Sequence, residues 1–189
     1  MIKNIGILAL QGGYVAHHQK LLSLGYQSSF IRNKSQLKGV DALIMPGGES
    51  TTMTYLLKKH DMWDDLKLKV SRIPVLATCA GVVLLQRMSV LDIDIVRNGY
   101  GRQLSSGIFP LEINDCGVIS NTNGFFIRAP IINNINDNDL KILSTYDDNP
   151  VLVQKRNIIA ATFHPELSDD SLIHKYFLSN LILSNVNNF

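Results

Sequence analysis

Cysteine is scarce in this chain. Cys79 and Cys116 are the two among 189 residues, too few for a disulfide framework, and a reactive thiol requires a reducing compartment. That points to the cytoplasm. Long apolar runs are missing as well. None reaches transmembrane length, and Ile5–Leu10 is too short for a signal-peptide core before it meets Gln11-Gly12-Gly13. No membrane role is expected. Neither sign of charge dominates: 18 basic against 16 acidic side chains leave +2, with no Lys or Arg run. This speaks against a nucleic-acid partner. His17, His18, His60 and His174 lack companion ligands at metal-binding spacing, so no metal site is expected. They read as surface or packing residues. No internal repeat or Pro/Ser linker divides the sequence, so residues 1–189 read as a single domain. With 46% hydrophobic residues, that length supports a substantial core.

What is present has the rhythm of an α/β protein. Strand-like runs at Ile5–Leu10, Ser28–Arg32, Ala42–Met45 and Pro74–Ala77 alternate with helical patterns at Tyr14–Leu24, Met53–Lys59 and Ala80–Gln86. Gly25 is placed to end the first helix, and Ser50 or Thr51 to cap the second. Such alternation predicts a mostly parallel sheet with helices on both faces. After about Ile93 the pattern changes to short β-type runs: Ile93–Val96, Ile108–Ile113, Gly117–Ser120, Phe125–Ile127, Val151–Gln154 and Ile158–Phe163. The Asn-rich stretch Asn133–Asp139 reads as a loop. An amphipathic helix over Ser171–Ser184 closes the sequence, with Ile173, Phe177, Leu181 and Ile182 on one side.

Against this background three residues stand out. Cys79 lies between an apolar strand and a helix, flanked by Ala80 and Gly81. Far downstream comes His164-Pro165-Glu166. A thiol, an imidazole and a carboxylate are what nucleophilic cysteine catalysis requires. A lone cysteine in an apolar run is more often a small buried hydrophobe. The strand-to-helix position argues otherwise, because small neighbours leave the thiol open and a helix N-terminus favours the thiolate. This is nucleophile-elbow logic without the full Gly-x-Ser-x-Gly pattern. Cys116 has no nearby base and reads as structural. Pro46-Gly47-Gly48-Glu49-Ser50-Thr51-Thr52 is either a tight turn with a helix cap or a loop whose glycine N–H groups face an oxyanion. Gly12, Gly47, Cys79 and His164 all follow strand-like runs, so one cleft at the carboxyl edge of a parallel sheet could gather them.

Six blocks carry a resemblance. They are Gly6-Ile7-Leu8-Ala9-Leu10-Gln11-Gly12, Pro46 to Thr52, Thr78-Cys79-Ala80-Gly81, Arg97-Asn98-Gly99-Tyr100-Gly101-Arg102-Gln103, Phe126-Ile127-Arg128-Ala129-Pro130 and Ala161 to Leu167. In this order they closely resemble the glutaminase subunits of pyridoxal 5′-phosphate synthases, within the class I, triad-type glutamine amidotransferases. The likeness spans nearly the whole chain. It implies a flavodoxin-like three-layer α/β sandwich with additional short strands in the second half. It also implies that Cys79 attacks the side-chain amide of L-glutamine and that His164, oriented by Glu166, moves the protons. The backbone N–H groups of Gly48 and Ala80 would form the oxyanion hole. Gly47, Gly48, Glu49, Arg102, Ile127 and Arg128 would bind glutamine, an arginine fork suiting its α-carboxylate. Ammonia would pass to a (β/α)8-barrel synthase subunit in a large hetero-oligomer, with Gln11 near the contact. Pyridoxal 5′-phosphate would be the product of that assembly, and this chain would need no cofactor. Ala16, Ala77 and Gly107 depart from the family pattern. A thiol hydrolase of similar architecture and a non-catalytic scaffold are the competing readings.

Overall fold

The computed structural model describes residues 4–97 and 106–186, the side chains of 180–186 excepted. In chain order the elements are β1 (Ile5–Leu8), α1 (Tyr14–Ser23), β2 (Ser28–Ile31), α2 (Lys34–Lys38), β3 (Ala42–Met45), α3 (Ser50–Lys59), α4 (Trp63–Val70), β4 (Val75–Thr78) and α5 (Ala80–Arg87). There follow β5 (Ile93–Val96), β6 (Ser106–Asp115), β7 (Val118–Ile127), β8 (Ile131–Ile135), β9 (Leu140–Tyr146), β10 (Asn149–Lys155), β11 (Ile158–Ala161) and α6 (Leu172–Val186).

The largest sheet among the described residues has seven strands in the order β2-β1-β3-β4-β11-β10-β9. Its first five run parallel, and the β11-β10-β9 edge is antiparallel. The order 2-1-3-4 followed by a further parallel strand is that of flavodoxin-like folds, whose switch point lies between β1 and β3. Alternation along each strand sends side chains to two faces. Leu43 and Met45 of β3 join one core with Met53 and Leu57 of α3, Leu66 of α4 and Leu84 of α5. Ala42 and Ile44 join the other with Leu21 of α1 and Phe177 of α6. The expected three-layer α/β sandwich is what forms.

The β6–β7 hairpin adds Leu111, Ile113 and Phe126 to the second core. Its register, Asp115 opposite Val118, leaves Cys116-Gly117 as a two-residue turn. Both residues have positive φ, 52° and 89°, as a primed hairpin turn demands. Cys116 is therefore an exposed, free cysteine at a turn tip.

The local signals held in part. The inward stripe of α1 is Tyr14, His17 and Leu21, and Gly25 at φ +83° ends the helix. Its N–H reaches Leu22 O while Tyr26 N–H reaches Leu21 O, the paired bonds of a Schellman motif. Helix α3 begins earlier than expected. Ser50 and Thr51 are its first helical residues and Glu49 occupies the N-cap without a side-chain bond. The two β-runs expected at Gly117–Ser120 and Phe125–Ile127 are a single strand, β7. Part of the expected Asn-rich loop is strand β8. Helix α6 spans the expected segment, with Ile173 and Phe177 in the core; the side chains of Leu181 and Ile182 lie outside the described residues.

Candidate active site

Strand ends place the chemistry. β1, β3, β4 and β11 are parallel neighbours in register, so the segments that leave them emerge along one edge. From that edge come Gln11 after β1, Gly47 and Gly48 after β3, Cys79 after β4 and His164 after β11. The loops are tied together by backbone. Gly13 N–H donates to Gly47 O (3.0 Å) and Cys79 N–H to Ala161 O (2.8 Å). Gly47 N–H donates to Thr78 Oγ1 (3.0 Å) and Glu49 N–H to Gln11 Oε1 (2.7 Å).

Cys79 sits in the turn between β4 and α5 with φ 46° and ψ −105°. A non-glycine residue held there costs of order 1–3 kcal/mol and persists only where its surroundings enforce it. The enforcement is visible: a Cβ on Gly81 would run into the Met45 carbonyl oxygen, so glycine lets the first turn of α5 close onto β3. Ala80, at the first helical position, has a backbone N–H without an intrahelical acceptor by position. Ala77 is fully buried, paired in register with Met45 and Ala160.

His164 N–H is anchored on Phe125 O (2.8 Å). Pro165 then opens a short 3₁₀ turn, Pro165–Leu167, which folds Glu166 back beneath the imidazole. The result is a 2.7 Å contact between His164 Nδ1 and Glu166 Oε1. The Cys79 thiol faces His164 from the other side, and both line the same cavity. Burial works against a charge on His164, but its interactions with Cys79 and Glu166 outweigh it and raise its pKa to about 10. Burial likewise pushes the Glu166 carboxyl up, yet the His17 and His164 rings pull it below its ordinary value. Thiol, imidazole and carboxylate thus stand in the order that thiolate–imidazolium chemistry needs.

A cavity of about 340 Å³ opens above the thiol. Gln11, Gly48, Glu49, Cys79, Ala80, Ile127, Arg128 and His164 line it, together with Ser50, Val83, Arg97 and Pro130. Most of the expected substrate residues are therefore brought together. Gly47 is not at the surface of the cavity but packs behind it, its α-carbon against His164 and Cys79. Arg128 has φ +45° at the end of β7. Arg102 lies outside the described residues. A larger cavity of about 450 Å³ opens at the other end of the sheet, beside Lys67, Lys155 and Asn157. It holds none of the chemistry-bearing residues. Among the described residues no group of three His, Cys, Asp or Glu side chains is arranged to hold a metal, and no helix is long and apolar enough to cross a membrane.

Sequence reasoning missed two residues here. His17, read as a surface or packing residue, is fully buried beside the carboxylate, with Nε2 3.3 Å from Glu166 Oε2 and 3.2 Å from Thr78 Oγ1. His174 of α6 lies behind it, Nε2 to His17 Nδ1 at 3.0 Å. Burial lowers the pKa of both histidines, that of His174 to about 3. The available signal was helical spacing: His17 falls on the Tyr14–Leu21 stripe that faces the sheet.

Comparison with known proteins agrees with the geometry. Residues 7–183 match the SNO glutamine amidotransferase family. "Pyridoxal 5′-phosphate synthase subunit PdxT" of Kosmotoga olearia is 44% identical over 189 residues, covering 94% of this chain and 97% of that protein. The protein of the same name from Francisella tularensis subsp. novicida is 41% identical, with 95% and 99% covered. A solved glutamine amidotransferase superposes with a TM-score of 0.86 at 35% identity, over 94% of this chain and 98% of its own. PurLQS from Thermotoga maritima, at 15% identity and a TM-score of 0.72 over 97% and 99%, shares the fold.

Proposed function

The chain belongs to the SNO glutamine amidotransferase family, and from that premise we propose that it is the glutaminase subunit of a pyridoxal 5′-phosphate synthase. It hydrolyses the side-chain amide of L-glutamine to glutamate and ammonia. Cys79 attacks the amide carbon, and His164 passes a proton to the departing ammonia. A glutamyl thioester remains on Cys79. His164 then takes a proton from water, which attacks the thioester and releases glutamate. Glu166 keeps the imidazole in the tautomer both steps require. The N–H groups of Gly48 and Ala80 receive the oxyanion; losing one such donor commonly costs about a hundredfold or more in rate. Gly48, Glu49, Ile127, Arg128 and Arg102 hold the glutamine, with arginine on its α-carboxylate, while Gly47 packs behind them against His164 and Cys79.

The observation that carries this reading is Cys79 and His164 lining a cavity flanked by Arg128, with the buried Glu166 bonded to His164 from behind. The near full-length likeness to synthase subunits supports the destination of the ammonia, a (β/α)8-barrel synthase subunit docked near Gln11 within a larger cytoplasmic assembly. The chain itself works without a cofactor or metal, and pyridoxal 5′-phosphate is the product of the assembly. Amide-¹⁵N glutamine tests this directly. With the barrel subunit and its sugar phosphates present, the label is expected in the pyridoxal phosphate ring nitrogen. Labelled product formed equally well from the barrel and labelled glutamine without this chain would overturn it.

A further inference from the structure

Glu166 presents two carboxylate oxygens, and the triad uses one. Oε1 accepts from His164 at 2.7 Å. Oε2 is sealed from solvent with no other hydrogen bond among the described residues, and the group facing it is His17 Nε2 at 3.3 Å. A buried carboxylate oxygen without a donor carries the full desolvation cost, so what His17 offers there matters.

The contact with Glu166 favours one tautomer of His17. If His17 carried its proton on Nδ1, a bare Nε2 lone pair would face the carboxylate in a site that water does not reach, which is repulsive. With the proton on Nε2, His17 donates to Thr78 Oγ1 at 3.2 Å and turns the positive N–H, not a lone pair, toward Glu166 Oε2 at 3.3 Å. Nδ1 is then an acceptor, and His174 supplies a donor from its own Nε2 at 3.0 Å. This leaves only His174 Nδ1 unsatisfied, an orphaned acceptor. Burial lowers the pKa of both rings. The charged or titratable groups around the pair are Glu166, His164, Lys20 and Asp170.

We propose that His17, held by His174 as its neutral Nε2–H tautomer, is a positioning residue: it orients the Glu166 carboxylate and, through Thr78, the Gly47 loop. The proposal rests on the glutaminase reading and extends it. Thr78 Oγ1 accepts the Gly47 N–H at 3.0 Å, so one imidazole braces both the triad and the segment leading to the oxyanion donor. Misplacing reacting groups by about an ångström costs on the order of a hundredfold.

Three measurements decide it. Glutamate release, assayed with the barrel subunit, is expected to fall about 10- to 100-fold in kcat for His17→Leu, with KM for glutamine within about twofold. His17→Gln, whose amide N–H reaches where Nε2 stands, is expected to recover most of that loss; a purely space-filling role would give no such rescue. Parental kcat in His17→Leu, or equal impairment in both variants, overturns the proposal. Side-chain ¹⁵N NMR of the intact parent is independent of catalysis and of variant folding. It should show His17 and His174 neutral and protonated on Nε2 at pH 7; a cationic or Nδ1–H His17 overturns the proposal. If the parent and barrel release no glutamate, the glutaminase reading fails, while the NMR result still decides the hydrogen-bond chain.

Discussion

Gly47→Ala should cripple the enzyme while leaving it folded. A Cβ at this position would fall well inside contact distance of His164 Cε1, at 3.0 Å from Nδ1 and 3.1 Å from Cys79 Cβ. The backbone has little freedom to retreat, since Gly47 N–H is bonded to Thr78 Oγ1 and Gly47 O to Gly13 N–H. The imidazole is what must yield, by about an ångström to regain ordinary van der Waals separation. Displacement on that scale corresponds to roughly a hundredfold in rate, and overpacking to about 1–3 kcal/mol in stability. The assay is glutamate release in the presence of the barrel subunit, alongside urea denaturation. A variant within about threefold of the parent in kcat would refute the claim that Gly47 is small to seat His164.

Arg128→Ala should raise KM for glutamine by about 10- to 100-fold with a smaller change in kcat, as loss of one charge-assisted carboxylate contact would do; an unchanged KM removes Arg128 from the binding site. Gly81→Ala should destabilise the fold by more than about 1 kcal/mol in urea denaturation, because the new methyl meets the Met45 carbonyl and backbone cannot move aside cheaply. Acid should unfold the protein early. His174, with its pKa depressed to about 3, contributes stability that is whole above its unfolded value near 6.5. That contribution is lost as pH falls, up to about tenfold in the folding constant per pH unit. Glu166 and Asp170, both held below the usual carboxylate range, add their own loss at lower pH. His174→Phe should flatten the limb between pH 6.5 and 4, and an equally steep limb in that variant would contradict the assignment.

The sequence disclosed the parallel half well because its strands are buried on both faces. Ala42–Met45 reads as an apolar run bounded by Asp41 and Pro46, and the strand has those limits. Helix α4 escaped notice since four of its eight residues, Trp63–Val70, are charged and it buries only Leu66 and Val70, too little periodicity to register. Strands β8 and β9 were missed for a similar reason: Asn133 and Asn134 sit within β8, whose place is set by pairing with β5 across forty residues. Glu166 was found because its spacing to His164 is local. His17 was not, because its partners lie 61 and 157 residues away and only the tertiary fold turns its helix toward them.

Partner-dependent glutaminase activity is the central claim, and glutamate release from L-glutamine is its most direct test. The intact chain is assayed alone and with a competent barrel subunit, with Cys79→Ala as the control. Release that the barrel subunit stimulates, and that vanishes in Cys79→Ala, is the expected result. Folded protein that releases no glutamate in either condition, or release that survives in Cys79→Ala, would contradict it.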